Sequence, residues 1–168
     1  MSEKEYYFSF DTNKCVLCHA CETACKIHNN VETGCTWRKV KTIWYGEYPE
    51  ISGVNLSISC MHCVDPECLK ICPEQAITKN SEGIVSVDRD KCTGCGLCYK
   101  VCPVKAPQFG WDKKMQKCDF CFGRIEKGTA PVCVETCPGG AIGFEFADIS
   151  NKIGSEKDMA EYFVIKKP

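Results

Sequence analysis

The sequence predicts an α+β fold of small helices and short antiparallel strands, arranged as two small units with the second inserted within the first. Three observations predict it. Seventeen of 168 residues are cysteine, and sixteen of them fall into four quartets of related spacing. Short segments rich in aromatic and β-branched residues lead into the quartets and read as strands. One such lead-in recurs: Asp11-Thr12-Asn13-Lys14-Cys15 matches Asp88-Arg89-Asp90-Lys91-Cys92, an internal repeat.

The stretch from Lys91 to Pro103 sets the pattern. It reads C-x2-C-x2-C-x3-C-P, with Cys92, Cys95, Cys98 and Cys102, the spacing of a bacterial [4Fe–4S] loop. A thiolate at every third position wraps three corners of a cubane. The fourth falls a helical turn later and points toward a second cluster. Pro103 stops the helix, and Gly94 and Gly96 let the backbone approach the cluster.

In chain order, Tyr6 to Phe10 reads as a strand feeding motif one, Cys15, Cys18, Cys21 and Cys25. Lys26 stands where proline would follow, so this helix is expected to run on toward His28 and end at Asn29-Asn30. Residues 26–59 carry no cluster motif. Thr36 to Tyr45 and Asn55 to Ser59 have strand character, and Gly46 to Pro49 reads as a turn. The aromatic residues here fit either a small core that shields clusters or a docking face.

Motif two is Cys60, Cys63, Cys68 and Cys72, its second gap widened to Val64-Asp65-Pro66-Glu67. Ala76 to Thr78 and Ile84 to Val87 predict a hairpin turned at Asn80 to Gly83, leading into motif three. Motif four is Cys118, Cys121, Cys133 and Cys137, with an eleven-residue second gap from Phe122 to Val132. Residues 143–168 read as a polar tail with one apolar patch, Tyr162 to Ile165.

Sixteen ligands imply four [4Fe–4S] clusters. Because the fourth cysteine of a run ligates the neighbouring cluster, motifs two and three should pair. One cluster takes Cys60, Cys63, Cys68 and Cys102; the next takes Cys92, Cys95, Cys98 and Cys72. Motifs one and four then pair around them, as Cys15, Cys18, Cys21 with Cys137, and Cys118, Cys121, Cys133 with Cys25. The result is two ferredoxin-like 2[4Fe–4S] units, an outer one over 1–54 and 111–168 and an inserted one over 55–110. Sequential pairing, one with two and three with four, is the alternative. Cys35 lies outside every motif and fits a small buried residue. His19 and His62 sit between ligands, where each is either structural or a donor to cluster sulfur; His28 carries no signal. Lys14, Lys91 and Lys117 each precede the first cysteine of a motif, as cations near a cluster or as solvated side chains.

Other classes fit less well. A secreted disulfide scaffold would need a signal peptide, and the first residues show neither an apolar stretch nor a twin arginine. Zinc ribbons use paired C-x2-C knuckles rather than triple runs. The formal net charge is −1, with 21 basic and 22 acidic residues and no polybasic run, so no nucleic-acid partner is expected. Apolar runs are too short for a membrane helix. No open metal site, nucleophile–base pair or nucleotide loop is visible, so the protein is expected to be no enzyme by itself. With few large apolar residues besides cysteine, units this small need metal staples, and binding should be coupled to folding.

Four stretches carry a resemblance over about residues 5–147: Ile58 to Cys68, Cys102 to Phe109, Lys117 to Cys121 and Pro131 to Pro138. On these the sequence resembles the four-cluster electron-transfer subunit of the dimethyl sulfoxide reductase family of molybdenum and tungsten enzymes. The resemblance implies a large catalytic partner carrying a molybdenum or tungsten bis-pterin guanine dinucleotide. It also implies a redox partner, either a membrane anchor or a soluble donor. The small subunit passes single electrons between the two and does no bond chemistry. Many members are longer, with extra loops or a membrane helix, so a compact soluble complex is expected here. Its expected location is the cytoplasm, or outside it if exported with a signal-bearing partner. Related subunits of formate dehydrogenase or hydrogenase complexes, and a free soluble polyferredoxin, are the competing readings.

Overall fold

A computed structural model describes residues 4–148. Its strands pair only in twos, giving four separate antiparallel ribbons among the described residues. Cysteine-bearing loops and short helices fill the space between them.

Strand β1 (Lys4–Phe10) leads through a 3-10 turn, Thr12–Lys14, into motif one. Asp11 Oδ1 accepts from the Asn13 amide at 2.9 Å. At the repeated lead-in, Asp88 Oδ1 accepts from Asp90 at 3.0 Å. The two sequence copies thus fold into the same Asx turn, in which an aspartate holds the backbone two residues on. Helix α1 spans Ala20–His28 and is capped at Asn29, as the missing proline after Cys25 predicts. Strands β2 (Lys39–Tyr45) and β3 (Ser52–Ile58) form the second ribbon. At its tip Trp44 is 69% and Tyr48 89% exposed, whereas Trp37 at its base is part-buried, so the aromatics of this region divide between surface and interior. Trp37 Nε1 donates to Gln116 Oε1 at 3.0 Å.

Helix α2 (Glu67–Lys70) lies in motif two, and α3 (Leu97–Val101) in motif three. The expected hairpin between them is present as β4 (Ile77–Lys79) and β5 (Val85–Val87). Asn80 Oδ1 closes its turn, accepting from Glu82 and Ile84. A minimal ribbon, β6 (Gln108–Phe109) with β7 (Met115–Gln116), leads to motif four. There α4 (Phe122–Ile125) and α5 (Val132–Glu135) flank the long gap. Helix α2 packs on α3, and α1 on α5.

One sequence expectation is corrected. The polar tail does not begin at residue 143: Ile142–Asp148 is a strand, β8, paired antiparallel with β1 from Phe10↔Ile142 to Lys4↔Asp148. Charges in Gly143 to Asp148 hide a strand because only one face needs to be apolar. Phe144 and Phe146 lie against Tyr6, ring centroids 6.4 and 4.7 Å apart, while Tyr7 donates to Glu145 at 2.6 Å. The patch Tyr162 to Ile165 lies outside the described residues.

The interior is small and built around sulfur. One cluster of buried side chains joins Cys21 and Cys133 to Val40 and Ile142; another joins Cys98 to Ile77, Val85 and Met115; a third joins Cys60 and Cys118 to Ala106. Phe120 is completely buried and stacks on Phe8, centroids 4.0 Å apart. Such a core is below what ordinary small domains use for stability.

Candidate metal centres

The ligand loops share a backbone device that their sequences only partly announce. In each motif the second residue after the first cysteine is left-handed: Leu17 (φ 55°), His62 (48°), Gly94 (74°) and Phe120 (65°). Only one of the four is glycine, although this conformation costs an L residue about 1–2 kcal/mol. A second device follows each Cys-Pro pair. Gln75, Lys105 and Gly140 are left-handed, and their amides close turns onto the carbonyls of Cys72, Cys102 and Cys137. In two of the three, the next amide then reaches the sulfur: Ala106 N to Cys102 Sγ at 3.3 Å, and Ala141 N to Cys137 Sγ at 3.2 Å. Motif one lacks the proline and the turn. There α1 runs on, and the Asn29 side-chain amide donates to Cys25 Sγ instead, at 3.6 Å.

Gly94 is where the loop can least tolerate a side chain. A Cβ there would stand 2.3 Å from the Lys113 carbonyl oxygen, whereas one at Gly96, with similar φ, meets nothing within 4 Å. Gly96→Ala should therefore cost only the left-handed penalty, about 1–2 kcal/mol. Gly94→Ala should cost distinctly more, read as a lower temperature for loss of visible cluster absorbance. Equal losses in the two variants would mean that the Lys113 carbonyl does not constrain the loop.

The folded protein brings cysteines of different motifs together. Cys92, Cys95 and Cys98 line a cavity of about 340 Å³, and Cys72 of motif two joins them. Cys15, Cys18 and Cys21 line another of about 320 Å³, and Cys137 of motif four joins them. Burial pushes the Cys63 thiol up to about 11, with Cys60 and Cys102 adding to the rise. Burial likewise takes Cys68 up to about 12, Cys60, Cys102 and Cys63 contributing. Cys25 rises to about 12 through burial, with Cys133 and Cys121 as further causes, and Cys118 feels Cys25 and Cys133 as well as Cys60. In both cavities, three cysteines of one motif stand with the fourth of another.

These thiols suit an electron-poor inorganic group that needs several anionic sulfurs. Amides already point at sulfur, from Met115 to Cys92 at 3.3 Å and from Phe120 to Cys118 at 3.4 Å, as they would at thiolates. Among the described residues no three His, Cys, Asp or Glu side chains converge on one point as a single ion requires. Two quartets instead line cavities.

Binding to such thiols must expel their protons. Burial pushes the Cys98 thiol up to about 11 and the Cys25 thiol up to about 12, above the ordinary 9.0. A raised pKa means that these thiols keep their protons through neutral pH until a metal displaces them. Iron–sulfur affinity should therefore fall as pH falls, and acidification from about pH 8 to 5 should accelerate bleaching of the visible band. A bleaching rate independent of pH would contradict this proton release.

The remaining candidates separate. Cys35 is buried, and its thiol donates to the Phe109 carbonyl at 3.4 Å. His19 bonds Glu22 at 2.6 Å on the surface. His62 is buried and accepts the Val85 amide at Nδ1, 3.0 Å away, so its Nε2 carries the proton. Burial, reinforced by Lys117, Arg38 and Lys79, keeps this imidazole neutral. Lys14 and Lys91 are exposed partners of Asp11 and Asp88. Lys117 alone is buried, its ammonium donating to the carbonyls of Val85 and Cys118. One functional candidate gave no sequence signal, Arg38, which stands just before β2 and is 3% exposed.

Comparison with known proteins matches residues 52–147 to the family model described as a 4Fe-4S dicluster domain. The B subunit of anaerobic dimethyl sulfoxide reductase from Escherichia coli is 40% identical over 149 residues, covering 83% of this sequence and 73% of the relative. The protein belongs to the dimethyl sulfoxide reductase iron–sulfur subunit family. The Haemophilus influenzae member is 36% identical over 168 residues, covering 94% of this sequence and 82% of its own. A formate dehydrogenase iron–sulfur subunit of Wolinella succinogenes is 35% identical, with 84% and 81% covered. Among the described residues of this family member no helix is long and apolar enough to cross a membrane.

Proposed function

We propose that this protein is the electron-transfer subunit of a multi-subunit oxidoreductase and holds four [4Fe–4S] clusters in two nested ferredoxin-like units. The outer unit comprises 1–54 and 111–168, the inserted one 55–110, with the β2–β3 ribbon bridging their junction. The observation that carries the reading is the exchange of fourth cysteines: Cys72 stands with motif three and Cys137 with motif one. Cys102 stands with motif two, and Cys25 with motif four. Ligand sets follow as Cys15, Cys18, Cys21, Cys137; Cys60, Cys63, Cys68, Cys102; Cys92, Cys95, Cys98, Cys72; and Cys118, Cys121, Cys133, Cys25.

Bound clusters supply one-electron chemistry, dividing a two-electron reaction into single steps. The protein's part is to hold them in line and keep water away. Cys118 lies within electrostatic reach of Cys60, and Cys21 within reach of Cys133. Helices α2 and α3 hold motifs two and three together. The resulting order is motif three, two, four, one. Amides aimed at sulfur and the buried cations near motifs two and four favour the reduced state.

The relatives are subunits of reductase and dehydrogenase complexes, which supports a large catalytic partner. Molybdenum or tungsten bis-pterin is the cofactor assigned to that partner. A dimethyl sulfoxide-type reductase is favoured by the higher identities, and the Wolinella relative carries the second reading, a formate-oxidising partner. The complex is assigned to the cytoplasm. Anaerobic purification of the native complex, with metal analysis, tests this. The reading expects a large co-purifying subunit with molybdenum or tungsten, and about four irons per cubane in each of four sites. Recovery of the small subunit alone, or with half that iron, would overturn it.

A further inference from the structure

Arg38 is the most anomalous side chain in the described structure. It is 3% exposed, and among the described residues it forms no salt bridge with a carboxylate. Its Nη1 donates to Ser57 Oγ at 3.1 Å and to the Ser57 carbonyl at 3.4 Å. Its guanidinium lies over the Phe8 ring, 4.7 Å from the centroid. Its Nη2 is buried without any partner. A buried guanidinium with an orphaned N–H is costly unless an anion faces it.

The sulfurs that surround it would supply one as cluster-bound thiolates. Burial opposes its charge, and Cys133, Cys118, Cys21 and Cys25, when they are thiolates, raise its pKa against that burial. Cys118, Cys133 and Cys25 belong to one proposed ligand set, and Cys21 to the neighbouring one. Arginine keeps its charge at any ordinary pH. Four thiolates outweigh the charge of the iron–sulfur core, so each loaded site is anionic and becomes more so on taking one electron.

We propose that Arg38 is the shared cation of these two sites, donating Nη2–H to cluster or cysteine sulfur there and raising the reduction potential of both. It thereby makes this end of the relay, motifs four and one, a better electron acceptor than it would otherwise be. The electron arrives from the neighbouring cluster, no proton is taken up, and the guanidinium offsets the added negative charge. Ser57 sets the pose: its hydroxyl holds Nη1 and also lies 3.4 Å from Cys21 Sγ. This inference rests on the four-cluster reading above.

The test is redox titration of the iron-loaded full-length protein, followed by electron paramagnetic resonance, in wild type, Arg38→Gln and Arg38→Lys. Iron is counted first: a wild type short of four clusters refutes the functional reading, whereas a full count leaves only Arg38 in question. With full loading, Arg38→Gln should make one-electron reduction of two clusters at least tenfold less favourable, about 59 mV lower for a one-electron couple. The other two clusters should change by less than threefold. Arg38→Lys, which keeps the charge, should recover most of the shift. Unchanged potentials in Arg38→Gln, or equal shifts in all four clusters, would overturn the proposal. Should Arg38→Gln fail to load, a second measurement decides. Arg38 is one of three arginines; in an Arg89→Lys/Arg124→Lys background labelled with 15N-arginine, the reduced protein should show 15N hyperfine coupling. Its absence would mean that Nη2 faces the small cavity shared with Ser59 and Met61 rather than a cluster, and would overturn the proposal.

Discussion

Replacing Cys72 by serine should damage the cluster of motif three and leave that of motif two intact. Cys72 is encoded with Cys60, Cys63 and Cys68, but it lines the cavity formed by Cys92, Cys95 and Cys98. A three-thiolate site loses an iron or the whole cluster, so the relay is cut at one end. The comparison that reads this is Cys72→Ser against Cys95→Ser and Cys63→Ser, by iron content and by which paramagnetic signal disappears. Cys72→Ser should resemble Cys95→Ser. A match to Cys63→Ser would mean that each motif ligates only its own cluster, and the nested pairing would fall.

Lys79→Met should be the most destabilising substitution away from any ligand. Lys79 Nζ and Glu5 Oε1 are 2.5 Å apart, with side chains only 16% and 6% exposed. Lys79 also donates to the Val64 carbonyl at 2.8 Å. Removing the lysine strands a carboxylate whose other oxygen, Oε2, already lacks a partner, and breaking such a pair from one side costs about 3–5 kcal/mol. The pair ties β1 to the β4–β5 hairpin, beside the Tyr6 amide bond to Glu82. Anaerobic denaturation followed by cluster absorbance should show a much lower midpoint. The double variant Glu5→Gln/Lys79→Met should regain most of it, since no charge is then buried alone. A single-variant loss below about 1 kcal/mol would class the pair with surface bridges.

The cysteine spacing made most of this molecule legible. A repeat of three residues with a proline stop is a geometric instruction that α3 follows, and α1 runs on because Lys26 stands in place of the proline. The lead-in repeat likewise gave the paired Asx turns at Asp11 and Asp88. What stayed hidden was set by contacts far apart in sequence. β8 looked polar because its Phe144 and Phe146 are interleaved with glycine, glutamate and alanine, and its partner lies at the other end of the described residues. Left-handed Leu17, His62 and Phe120 gave no cue, since glycine marks that position in motif three alone. Arg38, between Trp37 and Lys39, reads as an ordinary strand cation until the fold closes sulfur around it.

The pairing of β1 with β8 also fixes a timetable. β1 is synthesised before the other described strands, and its partner is completed only when Asp148 has been made. Residues 55–110 have their ribbon β4–β5 and all of their cysteines much earlier, by Cys102. During translation the segment of motifs two and three can therefore mature while β1 waits as an unpaired edge, the kind of segment that recruits other proteins. Closing so long a loop last is slow. The pairing of strands so far apart in sequence thus gives the cell a reason to keep the nascent polypeptide guarded until β8 arrives.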